Sequence, residues 1–175
     1  MQHYNFTERL HRLYSQAIKL CSAGQRGPDT YFTADETAFL TANGLTAQNL
    51  YDYAEDELNG GEPGWEIALS IELIRRDYFL NIQGGKSTGH FINENELPGK
   101  STLLAGLPWL ARLIPKAQAK LRGELPPSMM YACGGDRAFF QQHDIQPAEF
   151  LSIIWRHESN HAAISDWVHQ RSRSR

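Results

Sequence analysis

Several short stretches of this chain carry residue types that can do chemistry. His157-Glu158-Ser159-Asn160-His161 matches HExxH. On one helix that spacing sets two imidazoles a turn apart for zinc and leaves the Glu to activate water. Ser159 and Asn160 argue otherwise, because both are cap formers and poor mid-helix residues. The fourteen residues after His161 are few for a third ligand on another helix. The longer form of the motif needs Gly and His where Ile164 and Trp167 stand. The pentapeptide therefore reads as a break between helices, and neither a metal nor a cofactor is expected.

Gly85-Lys86-Ser87-Thr88 and Gly99-Lys100-Ser101-Thr102 end like phosphate loops. That loop requires another Gly five positions before its last one. Leu80 and Glu94 stand there, and no strand is predicted ahead of either tetrapeptide. Both read as polar connections with Thr and Ser caps.

The second half holds the sharper cluster. Arg112, Lys116 and Lys120 recur every four residues, so they share one helix face. A basic row of this kind binds phosphate, carboxylate or nucleic acid, or is simply solvated. Cys133-Gly134-Gly135-Asp136 follows, with Tyr131 just ahead. The glycines allow a tight turn, and Asp136 is expected to cap the next helix by accepting from its amides. A thiol at a helix amino end is a candidate nucleophile; the alternative is a small buried apolar residue. Arg112, Lys116, Tyr131, Cys133 and Asp136 are the candidate ligand-binding residues. The tail Arg171-Ser172-Arg173-Ser174-Arg175 alternates cation and small polar residue, the pattern of a solvated terminus or an RNA contact.

Helices must position these residues. Expected spans are 7–21, a short one opened by a Thr33/Glu36 capping box and stopped by Gly44, one from Thr46 to Asn59-Gly60-Gly61, and 65–80. In the second half they are 108–121 with a kink at Pro115, 136–142, 147–156 and 160–170. Asn5 and Glu8 form a further candidate capping box. The inward faces are predicted as Leu10, Leu13, Tyr14, Ala17 and Cys21 in the first helix, Leu50, Tyr53, Ala54 and Leu58 in the third, and Ile67, Ile71, Ile74 and Tyr78 in the fourth. No stretch alternates with period two, so the fold class is all-α.

At an offset of one hundred the chain aligns with itself without gaps. Leu10, Arg12, Leu13, Ala17, Tyr31, Ala38 and Phe39 meet Leu110, Arg112, Leu113, Ala117, Tyr131, Ala138 and Phe139. Caps and loops recur in the same order, which predicts an internal duplication. Two similar four-helix units follow, stacked about a pseudo-twofold: an N-terminal unit over 1–82, a Gly/Pro-rich linker over 83–100, a C-terminal unit over 101–170 and a basic tail over 171–175.

Composition bounds the rest. The chain has 175 residues, 41% hydrophobic and 21% charged, with a net charge of −3, an ordinary globular balance with no global pull toward nucleic acid. Cys21 and Cys133 form no CxxC pair, and the amino terminus lacks a secretory apolar core. The longest apolar run, Leu103 to Ala111, is far short of the roughly 20 residues of a membrane span. A reduced, soluble, cytoplasmic protein is expected.

Residues 100–167 resemble a bacterial helical family, the domain of unknown function 5069. The resemblance rests on Ser101, Leu104-Ala105-Gly106, the run Leu110 to Ala119, Gly123, Tyr131, Cys133, Asp136, Phe139-Phe140 and Trp167. It covers about two fifths of the chain. The family's Asp before Lys116 is Pro115 here, and its second Arg is Gln118. The first half looks like a diverged copy, with Gln16 in place of Lys116 and Thr33 in place of Cys133. The resemblance implies an all-helical fold and supplies no activity.

No catalytic constellation is complete. The leading expectation is a non-enzymatic helical protein that binds a protein partner or an anionic ligand. The alternative is a cofactor-independent enzyme built on Cys133, Lys116 and Asp136. A weaker one is nucleic-acid binding through Arg112, Lys116, Lys120 and the tail.

Overall fold

The structure, a computed structural model, describes residues 3–173. Among the described residues the chain forms eight α-helices and no strand; one isolated bridge joins Leu104 and Leu107. The helices are α1 (Phe6–Ser22), α2 (Ala34–Ala42), α3 (Ala47–Gly60), α4 (Trp65–Asn81), α5 (Leu110–Arg122), α6 (Gly134–His143), α7 (Pro147–His157) and α8 (His161–Arg173). Short 3₁₀ turns lie at Pro28–Thr30 and Glu94–Glu96. No helix among the described residues is long and apolar enough to cross a membrane.

Two compact units divide the chain between Lys86 and Ser87. In the first, α1 packs on α3 and α4. Local signals set the ends of these helices. Thr33 and Glu36 close a reciprocal capping box ahead of α2, and Thr46 and Asn49 close another ahead of α3. Gly61 ends α3 at φ 70, the left-handed conformation that glycine adopts without cost. Asn5 is the N-cap of α1, but its side chain makes no capping bond.

The inward face of α1 is the predicted one, extended by Phe6. In α3, Leu50, Tyr53 and Ala54 are buried, Tyr51 joins them, and Leu58 is exposed. In α4 the face is turned: Ala68, Ile71, Glu72, Arg75 and Phe79 are buried, and only Ile71 of the predicted stripe is among them. The reason is polar. The Tyr53 hydroxyl donates to Glu72 Oε1 at 2.7 Å, so a carboxylate is drawn inward where an apolar residue was expected. Phe79 also needs room. It lies against Gly44, where a Cβ would come within 2.5 Å of its ring.

In the second unit α7 packs on α5 and α8, and α6 packs on α8. α5 runs unbroken through Pro115, the expected site of a kink. It ends on Gly123 in the left-handed conformation. Of the segment predicted as a linker, residues 87–100 belong to this unit. Ile92 N–H donates to Glu124 O at 2.9 Å, Arg112 to Pro98 O at 3.3 Å, and Trp109 N–H to Lys100 O at 3.2 Å.

His157 is the last residue of α7 and His161 the first of α8, separated by Glu158 at φ 43. The two imidazoles are not one turn apart on a single helix, so the HExxH geometry is not built. Neither GKST tetrapeptide follows a strand. Arg171 and Ser172 of the tail continue α8: Arg171 pairs with Glu149, and Ser172 Oγ shares a 2.7 Å hydrogen bond with His143 Nδ1. Ser174 and Arg175 lie outside the described residues.

Candidate functional site

The corner between α5 and α6 holds most of the predicted cluster, and Asp136 is its centre. Asp136 is fully buried. It is not the cap of α6, as spacing predicted. Cys133 is the N-cap residue, and Asp136 sits in the first turn with its carboxylate reaching back. Lys116 Nζ donates to Oδ2 at 2.7 Å, the Ala132 backbone N–H donates to Oδ2 at 2.9 Å, and the Trp109 indole N–H donates to Oδ1 at 3.0 Å. Lys116 Nζ also lies 3.2 Å from Cys133 Sγ, toward which it donates.

A buried ion pair survives only when further hydrogen bonds offset the loss of water. Three donors on one carboxylate meet that condition. The backbone bends to provide them. Ala132 has φ 63 and Trp109 φ 71, conformations that cost a residue with a side chain about 1–2 kcal/mol each. At Ala132 the turn aims the N–H at Asp136 and leaves the carbonyl to accept from Arg137 at 2.8 Å. Trp109 then starts α5, its carbonyl accepting from Arg112 and Leu113. Its ring lies over Gly135, where a Cβ would stand 2.5 Å from the indole. Gly135 is thus glycine for space, not for a turn.

Tyr131 is buried beside this pair, and its hydroxyl donates to Pro147 O at 2.8 Å. Burial pushes its phenol well above the ordinary tyrosine range, and the charge of Asp136 pushes it further. Tyr131 therefore fastens the α6 approach to the start of α7. Arg112 is not part of the cluster: it donates to Pro98 O and pairs with Glu94 at 3.5 Å.

The basic row does not present a cationic face. Lys116 is 5% exposed and Lys120 6%. Spacing put these residues on one side of α5, and the acidic partner of Lys116 comes from α6. Gln118 donates to Glu158 O at 2.9 Å and ties α5 to the end of α7. Among the described residues no group of three His, Cys, Asp or Glu could hold a metal ion.

Trp109 is the member that sequence reasoning missed. Read as a first-turn helical residue after Pro108, it had no assigned partner. The available signal was physical: a sheltered indole N–H needs an acceptor, and Gly134-Gly135 beside an acid offers both space and charge.

No family model, no curated protein and no solved structure matches this chain.

Proposed function

We propose that this is a non-enzymatic helical binding protein, bacterial and cytoplasmic, whose buried Lys116–Asp136 pair, capped by the part-buried Trp109, holds the shape of the second unit. The observation that supports this is the occupancy of Asp136. Both of its oxygens are taken by donors from the fold, and Lys116 is committed to it at 2.7 Å. An acid or base serving a substrate needs an open hydrogen-bonding position toward the reacting atom. With Lys116 and Lys120 buried, a protein partner fits this surface better than an anionic ligand or a nucleic acid. The resemblance of residues 100–167 to the domain of unknown function 5069 belongs to the same proposal. Its support is that Lys116, Cys133 and Asp136, three of the shared positions, meet at one corner.

A second reading keeps one observation. Cys133 is partly exposed at the start of α6 with an ammonium 3.2 Å from its sulfur, an arrangement a nucleophilic thiol could use. Wild type and Cys133→Ser incubated with a metabolite extract separate the two. Identical time courses for every metabolite are expected. A compound consumed in many turnovers by wild type and spared by the variant would establish the enzyme. Chemical cross-linking to a protein partner that persists in Cys133→Ser supports binding.

A further inference from the structure

Cys133 is not a lone thiol. Its sulfur lies 3.2 Å from the amine of Lys116, and the same amine meets Asp136 Oδ2 at 2.7 Å. Three groups thus stand together: an oxidisable sulfur on a partly exposed residue, a nitrogen able to attack it, and a carboxylate able to take the nitrogen's proton. We propose that Cys133 and Lys116 form a covalent sulfur–nitrogen link when the protein meets hydrogen peroxide, making this corner an oxidation-sensitive modification site. The proposal does not depend on what the protein binds.

The chemistry balances in two steps. The Cys133 sulfur attacks one peroxide oxygen, the O–O bond breaks, and the departing hydroxide takes the thiol proton and leaves as water. Sulfur is oxidised by two electrons to sulfenic acid and the peroxide is reduced. Lys116 then passes a proton to Asp136, and its freed lone pair attacks sulfur. The S–O bond breaks, and the oxygen leaves as a second water with a proton from the nitrogen. The sum is thiol plus ammonium plus peroxide, giving a sulfenamide, two waters and one proton. No metal or reductant enters.

Proximity makes this partner the favoured one. Nζ is already held beside the sulfur, and well-oriented intramolecular reactions reach effective molarities of about 10⁵–10⁸ M. The other thiol lacks such a neighbour. Cys21 is buried, and the nitrogen near its sulfur is the Arg26 guanidinium at 3.7 Å, a group that stays protonated and does not attack. The corresponding corner of the first unit carries Thr33 and Gln16, which cannot form the link. Once made, the link replaces the ion pair between α5 and α6 by a covalent bond, and Asp136 keeps its bonds from Trp109 and Ala132.

The test treats the full-length protein with hydrogen peroxide, blocks remaining thiols, digests it and reads the peptides by mass spectrometry. The expected product joins the Lys116 and Cys133 peptides with loss of two hydrogens, resists tryptic cleavage after Lys116 and reverts with dithiothreitol. Lys116→Arg keeps the charge but removes the amine, so it should end with Cys133 as sulfinic acid or as a dimedone adduct. Wild-type Cys133 that stays reduced, or that is trapped or over-oxidised while Lys116 remains free, overturns the proposal. Loss of two hydrogens confined to the Cys133 peptide, retained in Lys116→Arg, also overturns it by moving the link to a backbone nitrogen. The wild-type product decides the matter even if the variant folds poorly.

Discussion

Two helix starts, one hundred positions apart in the chain, are secured by different means. α2 and α6 begin at residues 34 and 134, and α3 and α7 at 47 and 147. Leu10 and Leu110, Leu13 and Leu113, Ala17 and Ala117, Tyr31 and Tyr131, and Leu50 and Phe150 are buried in both units. At the helix start the two part. In the first unit Glu36 is half-buried, accepts from the Thr33 N–H at 2.8 Å, and forms a capping box near the surface. Gln16, where the second unit has Lys116, donates to Tyr31 O at 2.7 Å. In the second unit the acid is fully buried and meets a cation. One helix start thus takes a half-buried carboxylate met by neutral donors, and the other a fully buried carboxylate met by a cation. The second needs more: a left-handed alanine, a left-handed tryptophan and a glycine beneath the indole.

The largest expected difference follows from that burial. Asp136→Ala strands a buried ammonium and should cost about 3–5 kcal/mol, against about 1 kcal/mol for Glu36→Ala at a capping box. Urea denaturation of the two variants measures this. Equal losses would break the contrast between the junctions.

The helix ends offer the reverse asymmetry. Gly44 at φ 78 supports Phe79, whereas Asp144 adopts φ 55 at the matching place in the second unit. Gly44→Ala should cost about 1–3 kcal/mol through the clash with Phe79, and Asp144→Gly should change stability by less than about 1 kcal/mol. Comparable effects at both positions would show that Phe79 yields easily.

The smallest effects are in pH dependence. The Thr33 backbone N–H, its hydroxyl and the Gln16 amide hold Glu36 below the usual carboxylate range. A lowered folded value gives stability that is present above the unfolded value near 4.5 and lost as pH falls through the folded one. Glu36→Gln should therefore flatten the acid limb of the stability curve. Tyr131 is raised, so its contribution is intact below pH 10 and lost as pH climbs above it. Tyr31 is pushed up to about 12, first by burial and then by its bond to Cys21, and belongs to the same alkaline limb. Tyr131→Phe should flatten that limb and cost about 1 kcal/mol at neutral pH. An unchanged alkaline limb would mean that the buried phenol does not report the charged corner.

Much of this was legible in the sequence, and the boundary is physical. Thr33 with Glu36, Thr46, Pro147, Gly61 and Gly123 act on backbone groups within a few residues. Helix ends could therefore be placed from the chain alone, as could the burial of Leu10, Leu13 and Ala17. The Ser159-Asn160 pair likewise marked the break that undoes HExxH. What spacing could not give was which polar residues go inside. Lys116 and Lys120 share a face by periodicity, yet whether water covers that face depends on what packs against α5. Glu72 enters the core because Tyr53 waits on α3, and α4 turns accordingly. Asp136 reads locally as a helix cap, but Trp109 and Lys116, more than a helix away in the chain, join the nearby Ala132 N–H in pulling it back into an ion pair.

The sequence by itself determined eight helices in two like-ordered sets, because capping and apolar periodicity act over single turns. Only the tertiary structure decided that Lys116, Cys133 and Asp136 meet while Arg112 turns away, because burying a charge requires partners that no single helix supplies.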